Sequence, residues 1–231
     1  MKLTWFGHST FRMDFDGVSV LVDPFLNGNP SFTGSYEEAI KGVSVVAITH
    51  GHGDHFGDTL DIAKRNEATV VSVFEICSYV TAQGHDKTNP LGKGGTVTQS
   101  GLSFSYVDAK HSSSFTDADG VTHYMGEAGG MIISDGETSL YHLGDTDIFA
   151  DMGLIFDRFK PKIGLVPIGD RFTMGQKDAA RAVNTFMPFE VVIPCHYKTF
   201  PIIDQDHAIF EAELENKAAF RPMEVGVPIT L

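Results

Sequence analysis

The stretch from Val43 to His55 limits this chain more than any other. An apolar run, Val43-Ser44-Val45-Val46-Ala47-Ile48, is followed at once by Thr49-His50-Gly51-His52-Gly53-Asp54-His55. Three histidines and an aspartate thus fall within six residues. Imidazole and carboxylate are the ligands a divalent metal takes. The two glycines read as hinges that let the backbone turn sharply, so that neighbouring side chains converge or part. The competing reading is a polar surface turn rich in histidine. One such residue is common in a turn, but four packed this closely are not. A metal centre begun here needs further ligands from elsewhere in the chain.

The rest of the chain can build the frame for one. Its 231 residues suit a single domain, taken as 1–231, and 42% hydrophobic residues supply a sizeable core. The formal net charge of -13 opposes nucleic-acid and anionic-membrane partners, which need basic surface. A small-molecule substrate is the expected partner, and a homo-oligomer is compatible with the composition. Cys77 and Cys195 lie far apart and in apolar runs, so they read as buried free thiols. No run has signal-peptide or membrane-spanning character. The chain reads as a soluble cytoplasmic protein.

Alternation and turn residues predict strands over Leu3–Phe6, Thr10–Phe15 and Val18–Val22, with a hairpin at Asp16-Gly17. Residues 26–36 read as loop. Past the histidine cluster, Asp58 opens a helix to Asn66. Val70–Phe74 is a strand, Glu75–Gln83 a helix and 84–95 a loop. Thr96–Gln99 and Leu102–Val107 pair across Ser100-Gly101. Residues 109–129 read as a long loop, and loops that long are usually functional or mobile. Gly130–Ser134 and Ser139–Leu143 form another hairpin. A helix over 148–159, a strand over Ile163–Ile168, a helix over Lys177–Phe186, a strand over Val191–Cys195 and a closing helix over Ala208–Phe220 complete the chain. These layers suggest sheet packed on sheet with helices outside.

Four positions repeat one pattern: an apolar strand ends and a metal-type ligand follows. His50 follows Val43–Ile48, His111 follows Phe104–Val107, Asp145 follows Leu140–Leu143, and His196 follows Val191–Cys195. Strand ends along one sheet edge are close in space even when distant in sequence. Singly, His111 and His196 could be loop histidines and Asp145 a turn-former beside Gly144. Together with the cluster they read as one site.

The series His50-x-His52-x-Asp54-His55, His111, Asp145, His196 resembles the motif series of the metallo-β-lactamase fold superfamily. Further segments match the bacterial and archaeal branch of metal-dependent hydrolases similar to L-ascorbate-6-phosphate lactonases. They are Thr4-Trp5-Phe6-Gly7-His8-Ser9, Asp23-Pro24-Phe25-Leu26 with Gly28-Asn29-Pro30, Phe172-Thr173-Met174-Gly175, and Pro194-Cys195-His196-Tyr197-Lys198-Thr199-Phe200-Pro201. The resemblance implies an α+β fold. It is a four-layer αββα sandwich of two mixed sheets face to face with helices outside, and a dinuclear site lies at one edge. It implies that His50, His52 and His111 hold the first of two divalent ions, that Asp54, His55 and His196 hold the second, and that Asp145 bridges them. Zinc is the leading candidate, with manganese or iron as the others.

The reaction this implies is attack on an ester-like bond, a lactone or phosphodiester, by a hydroxide shared between the ions. Asp54 and His8 form the candidate catalytic pair, with His8 reaching the substrate or donating a proton to the leaving group. Asp23 is expected to stand behind a ligand histidine and orient it. Arg171, Tyr197 and Lys198 are expected to bind substrate. His85, His123, His142 and His207 match no ligand position. Two alternatives remain open: a diiron redox enzyme of the same superfamily, and a nuclease of its RNA-processing branch. A serine nucleophile elbow fails because Phe11 stands where its last glycine belongs. A P-loop fails because Lys87 and Gly94 replace its first glycine and its hydroxyl residue.

Overall fold

The computed structural model covers Met1–Leu231 and begins with an antiparallel meander. Its strands are β1 (Lys2–Trp5), β2 (Phe11–Asp14) and β3 (Ser19–Val22). Along β2 the burial alternates, with Phe11 and Met13 inward, as period-two patterning requires. A short helix α1 (Tyr36–Ile40) follows, capped by the Ser35 hydroxyl, which accepts from the Glu38 N–H. Then β4 (Val45–Ala47) joins β3 in parallel. The helices α2 (Gly53–Phe56) and α3 (Thr59–Asn66), strand β5 (Thr69–Val73), helix α4 (Phe74–Ala82) and strand β6 (Thr88–Leu91) complete the first half.

The second half opens with β7 (Thr96–Gln99) and β8 (Leu102–Asp108), then a small hairpin β9 (Ser114–Thr116) and β10 (Thr122–Tyr124). Next come β11 (Gly129–Ser134), β12 (Ser139–His142), α5 (Met152–Phe159), β13 (Ile163–Pro167), α6 (Gln176–Phe186), β14 (Val191–Cys195), α7 (Ala208–Glu213) and β15 (Ile229–Thr230). The first sheet runs β15-β1-β2-β3-β4-β5-β6 and the second β14-β13-β12-β11-β8-β7. Both sheets are mixed, so the fold is α+β. The parallel strands β4, β13 and β14 are the continuous apolar runs of the sequence because both of their faces are covered. One buried apolar cluster extends from Leu3 in the first sheet through Phe104 and Ile193 in the second.

Three segments differ from expectation. Residues 84–95 contain β6, whose Thr-Asn-Pro-Leu sequence reads as a turn but pairs in parallel with β5. Its proline is tolerated because β6 is the edge strand. The long loop 109–129 contains the β9–β10 hairpin, too short to show a period. The closing helix stops at Glu213 rather than Phe220. There the Asn184 side chain bonds the Glu213 carbonyl and the Glu215 N–H, while Lys217 Nζ takes the Glu211 and Ala212 carbonyls. The helix α1 and the edge strand β15 are short elements that periodicity does not reveal. No helix is long and apolar enough to cross a membrane.

Phe104 is fully buried on the same face of β8 as Tyr106, whose hydroxyl crosses to the Thr49 carbonyl after β4 at 2.5 Å. Truncating it leaves a void between the sheets. Phe104→Ala should cost about 3–5 kcal/mol of stability in urea unfolding, and Phe104→Leu clearly less.

Candidate metal centre

The site lies where strands of both sheets end. His8 follows β1, His50 follows β4, His111 follows β8, Asp145 follows β12 and His196 follows β14. The cluster itself straddles the start of α2. His52 is its N-cap, while Asp54 and His55 leave from its first turn. Entry into a helix between His52 and Asp54 is what separates the directions of the four side chains. The glycines act differently from the hinge reading. Neither Gly51 nor Gly53 has a positive φ. Gly51 is needed for space: a Cβ there would overlap the Met125 side chain, which packs down from the β9–β10 hairpin.

The donor atoms fall into groups that share members. His50, His52 and His111 converge, with His52 Nδ1 at 3.1 Å from His50 Nε2 and 3.2 Å from His111 Nε2. His8, Asp54, His55 and His196 form a second group. Asp145 stands between them. Its Oδ2 is 3.0 Å from His196 Nε2, 3.7 Å from His111 Nε2 and 4.0 Å from His50 Nε2, and its Oδ1 is 3.3 Å from His55 Nε2. All seven sequence-derived ligands are therefore brought together.

Behind them, Asp23 sets two ligands at once. Its Oδ2 accepts from His55 Nδ1 at 2.8 Å and from the Thr49 hydroxyl at 2.6 Å, and its Oδ1 accepts from the Thr49 N–H at 2.8 Å. Because the Thr49 hydroxyl donates to the carboxylate, the 3.1 Å contact to His50 Nδ1 needs a proton on that nitrogen. Both His50 and His55 thus turn a bare Nε2 inward. Sequence reading placed Asp23 behind a histidine but missed Thr49, which relays it to a second.

These residues fit metal ions. His55 Nε2, Asp145 Oδ1 and His196 Nε2 are buried without a hydrogen-bond partner. Buried polar atoms are ordinarily paired, so atoms left bare and facing one another call for a cation between them. Burial pushes the His50 imidazole well below its ordinary pKa, and it also lowers His52 and His111. This favours the neutral imidazole, the form able to ligate a metal. Burial works against the charge of Asp145, yet His196 and His55 hold it well below the usual carboxylate range. Burial likewise opposes a charge on His55, but Asp145 and Asp23 outweigh it and raise that imidazole.

A cavity of about 370 Å³ opens over the donors, walled by His52, Asp54, His111, Asp145, His196, Ser112 and Phe172. It adjoins a larger cleft of about 850 Å³ through His111 and Ser112, continuing past Lys93, Lys110 and Tyr124. Other expected residues sit apart. His8 is fully buried behind Asp54 and forms no wall of either space. Tyr197 is buried and stacks on Trp5, its ring centroid 5.5 Å away. Lys198 is exposed with a left-handed backbone (φ 61°). Arg171 is exposed, its guanidinium 5.7 Å from the ring centroid of Phe172, at the cavity rim. Lys110 and Ser112 flank a ligand in sequence, a signal that was available. Lys93 and Tyr124 arrive by tertiary folding and leave none.

Residues 2–196 match a family described as the beta-lactamase superfamily domain. The chain is 52% identical over 208 residues to a metal-dependent hydrolase of Chelativorans sp. (strain BNC1), covering 89% of this chain and 88% of that one. It is 46% identical over 235 residues, the full length of both, to a metal-dependent hydrolase of Mesorhizobium japonicum. Among solved structures, Igni18, a metallo hydrolase of Ignicoccus hospitalis KIN4/I, superimposes with a TM-score of 0.88 at 35% identity, covering 100% of this chain and 98% of that one.

Removing the Asp23 carboxylate should loosen ligands in both groups without touching a donor atom. Asp23→Ala is expected to weaken metal binding by roughly 10–100-fold, measured by competition with a chromogenic chelator. Unchanged affinity for every bound ion would refute the orienting role.

Proposed function

The chain belongs to the beta-lactamase superfamily and is a metal-dependent hydrolase, and within that family we propose a dinuclear enzyme that cleaves an ester-like bond, a lactone or a phosphodiester. The observation that carries this reading is Asp145, whose two oxygens face both groups of donors. Two divalent cations, when bound, lower the pKa of a shared water towards neutrality and stabilise the charge that develops on a substrate oxygen.

The protein's own residues do the rest. His50, His52 and His111 would hold one ion, Asp54, His55 and His196 would hold the other, and Asp145 would serve both. Zinc suits the histidine and carboxylate donors, and manganese or iron is compatible with them. Asp23 keeps a proton on Nδ1 of His55 directly, and on Nδ1 of His50 through Thr49, so each Nε2 is free to ligate. Phe172 supplies the one apolar wall of the cavity.

The adjoining cleft favours a polar, hydroxyl-bearing substrate over a strongly charged one. Its lysines are already matched: Lys93 Nζ reaches Asp108 at 2.5 Å and Glu127 at 3.0 Å, and Lys110 Nζ reaches Asp108 at 2.9 Å. Arg171 is the rim cation left over for an anionic group. It makes no ion pair of its own, so it meets a substrate without first breaking one.

Loss of activity in a chelator, restored by Zn(II) or Mn(II), is expected across a panel of lactones and phosphodiesters. His52→Ala/Asp145→Ala should abolish turnover of whichever substrate is found, and activity surviving in that double variant rules the mechanism out. Arg171→Ala should raise KM for an anionic substrate by about 10–100-fold, the worth of a hydrogen bond to a charged group, with kcat little changed.

A further inference from the structure

We propose that His8 is itself a metal ligand, completing with Asp54, His55 and His196 a second half-site of four side chains. The inference rests on the two-ion reading above. It gives His8 a role other than contact with substrate, from which its full burial separates it.

The spacing of donor atoms carries it. His8 Nε2 lies 3.1 Å from Asp54 Oδ2. Four other pairs of facing donors show a similar separation, 3.1 Å for His50 and His52, 3.2 Å for His52 and His111, 3.0 Å for His196 and Asp145, and 3.3 Å for His55 and Asp145, while Asp145 stands farther from His111 and His50, at 3.7 and 4.0 Å. Two donors bound about 2.1 Å from one ion, at an octahedral to tetrahedral angle, stand about 3.0–3.4 Å apart. The donor atoms of His8, Asp54, His55 and His196 all lie within 4.8 Å of one another. Four atoms so placed fit on the surface of one coordination sphere.

The ring is also held in the orientation a ligand needs. His8 Nδ1 is 3.0 Å from the Thr199 hydroxyl oxygen, and that hydroxyl reaches the Tyr197 carbonyl at 3.2 Å. With Thr199 donating to the carbonyl, His8 Nδ1 donates to Thr199 and Nε2 turns a lone pair towards Asp54. This is the arrangement of His50, Thr49 and Asp23 repeated on the other side of the site. The backbone reinforces it. His8 has φ 53°, a left-handed conformation that persists in a non-glycine residue only where its surroundings over-determine it. Its carbonyl accepts from Trp5 Nε1 at 2.9 Å and from the backbone N–H of His196 at 3.0 Å. The two imidazoles, 4.0 Å apart between centroids, are therefore clamped together through their backbones.

The opposite tautomer makes a different residue of His8. Thr199 would then donate to Nδ1, and Nε2–H would donate to Asp54, leaving His8 a positioning residue. Long-range proton–nitrogen NMR on 15N-histidine protein loaded with Zn(II) separates the two. The expected result is a proton on His8 Nδ1, none on Nε2, and an Nε2 shift among those of the metal-bound nitrogens. His8→Gln should lose one of two Zn(II) ions by elemental analysis, or bind the second more than about 100-fold more weakly, beyond what loss of a partner behind a ligand costs. A proton on His8 Nε2 in the Zn(II)-loaded protein overturns the proposal, as does His8→Gln holding both ions with unchanged affinity. Uptake of a single ion by the wild type defeats the two-ion reading, and the His8 nitrogen shifts still report whether His8 ligates that ion. Should His8→Gln fail to fold, the wild-type spectrum decides alone.

Discussion

Everything at this site depends on a buried carboxylate that touches no substrate. Asp23 is enclosed at the end of β3 in a left-handed conformation (φ 46°), where both oxygens are taken by protein donors. A buried carboxylate needs partners for both oxygens, since burial without them costs several kcal/mol. The Thr49 N–H, the Thr49 hydroxyl and His55 Nδ1 compensate it. In doing so they lose the freedom to choose another geometry. The tautomers of His50 and His55 follow from that one anion, and with them the direction in which two ligands present lone pairs. A neutral amide at position 23 could keep the shape but not the charge that favours Nδ1–H on His55.

The fold makes such a residue possible by ending strands of two sheets along one edge. The β3–β4 pairing sets Val22 beside Ala47, so Asp23 and Ile48–His50 leave neighbouring strands together. On the other sheet, β12, β13 and β14 run in parallel and deliver Asp145 and His196 to the same edge. Tyr106 joins the two layers there, its hydroxyl shared between the Thr49 and Glu127 carbonyls. Packing and ligation are coupled through it. The same hydroxyl that closes the gap between the sheets steadies the residue relaying Asp23 to His50.

What could be read from the chain divides along physical lines. The ligands were legible because each follows an apolar strand, and strand ends on one edge converge whatever the loops do. The parallel strands were legible because burial on both faces writes an unbroken run such as Val191–Cys195. The short elements α1, β9, β10 and β15 were not, because two to five residues span no full period. Tyr197 shows the commoner failure. It follows a ligand directly, which suggested the pocket, but β14 ends by turning it towards Trp5 and the core. Adjacency in sequence places the backbone, and packing decides where the side chain goes. Lys93, on the crossing from β6 to β7, and Tyr124, at the end of β10, reach the cleft from separate segments and could be found only in three dimensions.

The same contrast bears on how substrates are told apart. The ligands sit on buried strand ends tied by hydrogen bonds to residues that are themselves buried. Tyr124, at the end of β10 in the β9–β10 hairpin, forms part of the cleft wall and is largely exposed. Two contacts hold that hairpin to the metal centre. Ser113 Oγ accepts from the Gly51 N–H at 3.0 Å and donates to the Met125 carbonyl at 3.1 Å, while the Phe115 ring rests on Phe56 in α2, 5.0 Å between centroids. Gly51 lies between two of the donors, so its N–H bond to Ser113 ties the base of the hairpin, where Tyr124 pairs with Ser114, to the donor cluster. Tyr124 and Lys93 line the cleft without belonging to the donor cluster, whereas a side chain at Gly51, between two of the donors, would push on Met125. Ser113 and Gly51 thus join the donor cluster at the strand ends to the wall of the adjoining cleft.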